Sequence, residues 1–158
     1  LLEHYSKNDI NNAIEIYNYP AGDEFIYYFL EKKNYDIYNY IQVHVDPSDK
    51  NFIIESIEGH ISYEKNISEC YDQMTKVEKE VQNQIKIAGN KDEGKHPADA
   101  SGNSTYKRIM FYFANGDYVE IICYDMSKKQ EEKGYTDRLV VSLSTKKLLD
   151  FLTFRAYN

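Results

Sequence analysis

Apolar residues recur at two periods along this chain, and each change of period marks an element. Phe25–Glu31 is aromatic and β-branched, which predicts a strand, with a turn at Lys33-Asn34. From Tyr35 to Val45 the residues alternate. Tyr35, Ile37, Ile41, Val43 and Val45 take one side, and Tyr38, Tyr40, Gln42 and His44 the other. Asp46-Pro47-Ser48-Asp49 is a turn, because Pro fixes φ and the short polar side chains bond nearby amides. A third alternating run sets Ile53, Ile57, Ile61 and Tyr63 against Ser56, Glu58, His60 and Ser62. The period then lengthens to that of a helix over 67–87, with Ile67, Cys70, Tyr71, Met74, Val77, Val81 and Ile85 in one stripe. Asn66 is its N-cap, Glu69 stands where a capping box needs it, and Gly89 is the expected stop.

Strands return at Tyr106–Phe113 and Tyr118–Tyr124, around Asn115-Gly116. A two-residue turn there would scatter apolar residues over both faces. A three-residue loop with Gly116 left-handed instead gathers Ile109, Phe111, Phe113, Val119, Ile121 and Cys123 on one face. Tyr106, Arg108, Met110, Tyr112, Tyr118, Glu120, Ile122 and Tyr124 then share the opposite face. Asp137–Leu143 is a further strand, and Ser144 caps a short last helix that buries Leu148, Leu149, Phe151 and Leu152. Two strand-strand-strand-helix halves emerge, at about 25–87 and 106–154, in one α+β domain of mostly antiparallel sheet. A polar loop, 89–105, joins them, and 125–136 is a charged excursion. Residues 1–23 fit both a short helix (Ile10, Ala13, Ile14, Tyr17) and a strand (Ile14-Glu15-Ile16).

The net charge of −7, from 19 basic and 26 acidic residues, argues against nucleic acid or anionic lipid as partner, since the basic residues are dispersed. No apolar run approaches the roughly 20 residues of a transmembrane helix. The chain starts at Leu1 without a methionine, which fits removal of a signal peptide or a trimmed fragment. Cys70 on the helix stripe and Cys123 on the strand face point into one core, so a disulfide is expected, and with it an exported location. Two buried thiols acting as small hydrophobes are the alternative. The 16 tyrosines, with no tryptophan, suit an AT-rich genome as well as any functional need.

Candidate chemistry is sparse. His44, His60 and Glu58 lie on neighbouring strands and would hold zinc only if they converged. His96 with Asp92, Glu93 and Asp99 in the 89–105 loop is the raw material of an acid–base or cation site, but a solvated loop supplies the same residues. Ser101-Gly102-Asn103-Ser104 lacks the lysine and glycine spacing of a phosphate loop. Asn66-Ile67-Ser68 and Asn103-Ser104-Thr105 are glycosylation sequons that matter only in a eukaryotic secretory pathway. No metal, cofactor or catalytic residue is assigned. The surface of most interest is the tyrosine face: Tyr106, Arg108, Met110, Tyr112, Tyr118 and Tyr124. Tyrosine and arginine favour interfaces because they bury area and keep a polar end. Packing within the molecule, a partner surface (a homodimer included) and ordinary solvation are the readings of that face.

Glu58–Tyr71 (EGHISYEKNISECY), with Cys123-Tyr124-Asp125 and Asp137-Arg138-Leu139, resembles small exported proteins of AT-rich marine alphaproteobacteria, over most of 50–155. The resemblance implies a bacterial, periplasmic or secreted setting and carries no activity. The expected function is non-catalytic binding of a protein or glycan partner in the cell envelope. The alternatives are a small metal-dependent or hydrolase-like enzyme using the 89–105 loop, and a structural envelope component.

Overall fold

A computed structural model describes residues 8, 10, 12–13, 15–20, 22, 24–31, 37–97 and 99–157. Its strands are β1 (Glu15–Asn18), β2 (Ile26–Glu31), β3 (Tyr40–Val45), β4 (Ile54–Glu64), β5 (Asn90–Lys95), β6 (Thr105–Tyr112), β7 (Tyr118–Asp125) and β8 (Asp137–Ser144). The helices whose bounds fall among the described residues are α1 (Ile67–Ile85), α2 (Lys128–Glu131) and α3 (Lys146–Phe154). The fold mixes helices with a large antiparallel sheet of eight strands, in the order β1-β2-β3-β4-β8-β7-β6-β5. The turn expected at Lys33-Asn34, Tyr35 and Ile14 lie outside the described residues. At the N-terminal end Asn8 and Ile10 are helical, but Ala13 is not, and Tyr17, expected on the same helical stripe, lies in β1.

The chain forms two compact units, and they are not the two sequence halves. One comprises the chain up to Gly59, Ala114–Tyr118 and everything from Ser142; the other comprises His60–Phe113 and Val119–Val141. The reason lies in where the helices pack. In the first unit Ile26, Tyr28 and Leu30 of β2 meet Ile41, Val43 and Val45 of β3. Leu148 and Phe151 of α3 close on Phe25 and Tyr19, far earlier in the chain. In the second unit Cys70 and Met74 of α1 pack on Ile109 and Phe111 of β6, Ile121 and Cys123 of β7, and Leu139 of β8. The cluster places Ile109, Phe111, Val119, Ile121 and Cys123 together, with Gly116 at φ +89° in the hairpin loop. Cys70 and Cys123 form a disulfide, Cα–Cα 6.1 Å, with both residues fully buried.

Helix α1 starts where its cap dictates: the Asn66 side chain accepts the Glu69 amide and donates to the Glu69 carboxylate. It ends two residues earlier than expected. Lys86 takes the left-handed C-cap conformation (φ 57°) and closes onto the Gln82 carbonyl. Gly89 serves packing instead, because a Cβ there would lie 2.5 Å from Ile109 Cγ2. The cap of α3 is Thr145, whose Oγ1 accepts the Leu148 amide, rather than Ser144. Ser144 is buried and its hydroxyl meets Ser56 Oγ at 2.7 Å.

Two further expectations change. The 89–105 segment is not all loop, since β5 runs through it as the outermost strand, with Asn90 opposite Met110, Glu93 opposite Lys107 and Lys95 opposite Thr105. Five of its six residues are exposed, so no alternation marks it, and charge along an edge strand resists further pairing. On β4 the expected apolar face divides. Ile61 and Tyr63 pack under α1, but Ile53 and Ile57 are exposed while Ser56 and His60 on the other face are buried. Period two says which residues share a face, not which stretch of it another layer covers.

Candidate functional site

Three neighbouring strands, β5, β6 and β7, build the surface singled out from the sequence. Every second residue of β6 points the same way, so Tyr106, Arg108, Met110 and Tyr112 share a face. Arg108 is its centre. Its Nε donates to Asp92 Oδ1 at 2.8 Å and its Nη2 to Asp92 Oδ2 at 2.6 Å, a bidentate pair with the residue directly opposite on β5. Its Nη1 reaches Glu120 Oε1 on β7 at 3.5 Å. The hydrogen bonds to Arg108 hold the Asp92 carboxyl below its usual range, and the same bonds push the guanidinium up. Exposed ion pairs contribute little stability. The consequence here is geometric, because a forked donor held at two points presents a fixed face.

Tyrosines frame that centre. Tyr106 donates from its hydroxyl to Asp92 Oδ2 at 3.4 Å, and its ring covers Gly94, where a Cβ would come within 3.0 Å of the phenol oxygen. Tyr112, 41% exposed, donates to Met110 Sδ at 3.2 Å. Tyr124 is flanked by the His96 ring at 4.9 Å and the Arg138 guanidinium at 5.1 Å. Burial and the Arg138 charge, opposed by Asp99, hold the His96 pKa below its ordinary value and favour the neutral ring. Met110 and Tyr118 depart from the expectation, at 7% and 5% exposure. Both are largely covered. Tyr106, Arg108, Tyr112 and Tyr124 remain accessible.

Of the candidate polar residues His44 and Glu58 come together, whereas the side chains of Asp92, His96 and Asp99 each serve a separate contact. Asp92 is committed to Arg108, and His96 to Tyr124. Asp99, nearly buried, accepts from the amides and hydroxyls of Ser101 and Ser104 and from Ser127 Oγ. Those bonds, led by the Ser104 hydroxyl, hold its carboxyl far below the usual range. It organises the loop after β5. His44, 2% exposed, pairs through Nε2 with Tyr19 Oη at 2.8 Å and lies 3.5 Å from Glu58 Oε1 through Nδ1. Gln42 donates to Glu58 Oε2 at 3.3 Å. Burial pushes the Tyr19 phenol well above its ordinary value. Among the described residues no group of three or more His, Cys, Asp or Glu is arranged to hold a metal ion.

Sequence reasoning missed Asp92 and Arg138 as parts of the tyrosine surface. Asp92 was hidden because its strand has no periodicity. Arg138 sits beside Tyr124 through the order β8-β7, which no local pattern states. No helix among the described residues is long and apolar enough to cross a membrane. No protein-family model, curated protein or solved structure matches this chain.

Proposed function

We propose that this protein is a non-catalytic binding protein of the bacterial cell envelope, periplasmic or secreted, that engages a protein or glycan partner through Tyr106, Arg108, Tyr112 and Tyr124. The observation that carries this reading is the tyrosine–arginine surface of β5–β7, with Arg108 fixed between Asp92 and Glu120. Flat aromatic rings beside a clamped guanidinium suit both partner classes. Tyrosine buries area at low entropic cost, and an arginine already held in place loses little freedom on binding. A second copy of the chain belongs to the protein class. The disulfide supports the location, because such bonds persist in oxidising compartments.

The test is binding of envelope extract and of a glycan array to the wild type and to Tyr112→Ala and Tyr124→Ala, with light scattering for self-association. Loss of the same bound species or of the same dimer in both variants supports the surface. Identical binding and identical mass in all three proteins counts against it.

A further inference from the structure

The opposite side of the β5–β6 edge carries a cavity of about 410 Å³ beneath α1. That is within the range of small-ligand sites, roughly 300–1,000 Å³. Its floor is apolar: Met74 of α1 and Ile109 of β6, both buried in the core around the disulfide. Lys91 of β5 bonds Glu78 of α1 at 2.8 Å, which ties the outer strand to the helix along one wall.

Two charges in the cavity are left over from that arrangement. Glu93 and Lys107 stand directly opposite each other on β5 and β6, and both line the cavity. Directly opposed residues bring their Cβ atoms to about 5 Å, close enough for an ion pair. None forms. The Lys107 ammonium sits instead 4.4 Å from the centre of the Tyr71 ring. Among the described residues neither Glu93 nor Lys107 makes a salt bridge, whereas the neighbouring Asp92 and Arg108 are fully engaged with each other. Beyond the Lys91–Glu78 and Arg108–Asp92 pairs, which also line it, the cavity therefore offers one cation, one carboxylate, an aromatic face and an apolar floor.

We infer that this cavity binds a small zwitterion with an apolar side chain, an α-amino acid or dipeptide. Its carboxylate meets Lys107, its ammonium meets Glu93, and its side chain lies on Met74 and Ile109. Two opposite charges a few ångströms apart are what such a ligand carries. A purely anionic ligand would face Glu93, and a purely cationic one would face Lys107. Asp92 and Arg108, the pair at the centre of the tyrosine surface, line the cavity as well, so the two sites adjoin.

The test is a titration of the oxidised protein with L-leucine and with leucyl-leucine, followed by amide chemical shifts and calorimetry. N-acetyl-leucine and leucine methyl ester serve as probes with one charge removed. Saturable binding is expected, with shifts centred on Tyr71, Glu93 and Lys107. Glu93→Gln and Lys107→Met should each weaken it about tenfold, the equivalent of 1.4 kcal/mol. N-acetylation and esterification should each do the same. Both substitutions are at exposed strand positions, and an unchanged melting temperature shows the variants folded. Tyr112→Ala should leave the affinity unchanged. Absence of saturable binding by both zwitterions overturns the inference. So does equal binding of the blocked ligands, or affinity untouched by both substitutions.

Discussion

Reducing the Cys70–Cys123 bond is the most informative single perturbation. The bond closes a loop of sequence separation 53, from the first turns of α1 to β7. In the chain-entropy description a loop of that length removes about 14 cal/mol/K from the unfolded ensemble, or about 4 kcal/mol at 25 °C. For 158 residues the entropy of unfolding is about 330 cal/mol/K, so reduction should lower Tm by about 12 °C. With a urea m-value of about 2 kcal/mol/M the midpoint should fall by about 2 M. The m-value itself should rise, because the uncrosslinked unfolded chain exposes more surface. Comparing oxidised and reduced wild type keeps both sulfur atoms and isolates the cross-link. Cys70→Ala/Cys123→Ala should lose slightly more, since both sites are fully buried and the deletion leaves space. The assay is urea unfolding by circular dichroism, with free thiols counted in each sample. A difference below about 1 kcal/mol between oxidised and reduced protein, with an unchanged m-value, would refute the reasoning.

Two further outcomes are expected. Gly59→Ala would place a Cβ 2.5 Å from two ring carbons of Tyr38 and should cost about 1–3 kcal/mol. Pairing it with Tyr38→Ala should recover part of that loss, and strict additivity in thermal melts would argue against the clash. Asp99 is held by hydroxyl and amide donors, so its folded pKa lies below the ordinary value of about 3.9. The stability it contributes is present above that ordinary value and is lost as pH falls through the lower, folded one. Protection of the Ser101 and Ser104 amides, taken as exchange relative to the intrinsic rate at each pH, should therefore hold from pH 7 down to about 4 and fall only in stronger acid. Asp99→Asn should make both amides exchange fast at pH 7; equal protection in the two proteins would rule out this role.

Much of the local structure was legible. Asn66 marks the start of α1 because a side-chain acceptor three residues before an amide is a short-range chemical fact. On the β6–β7 hairpin Ile109, Phe111, Val119, Ile121 and Cys123 share a core, as the cost of turning core residues outward predicts, while Phe113, expected with them, is not part of that cluster. Cys70 and Cys123 were expected together because each lay on an apolar face, and the disulfide joins them. The surface was legible only in outline. Tyr106, Arg108, Tyr112 and Tyr124 were named from alternation, but so were Met110 and Tyr118, which are buried. Alternation assigns a side of the sheet and is silent on what lies above it.

From its own residues, then, this chain dictates the Asn66 cap of α1, the side each strand residue takes and which two sulfurs meet, because these depend on neighbours a few positions away or on simple apolar phase. Tertiary structure alone decides that α1 packs mostly on strands following it, that Asn90–Lys95 is a strand, that Ile57 is bare while Ser56 is buried, and that Asp92 clamps Arg108. Each of those is settled by a layer or strand distant in sequence. A backbone ladder can hold a charged segment such as β5 in place without leaving any hydrophobic period to read.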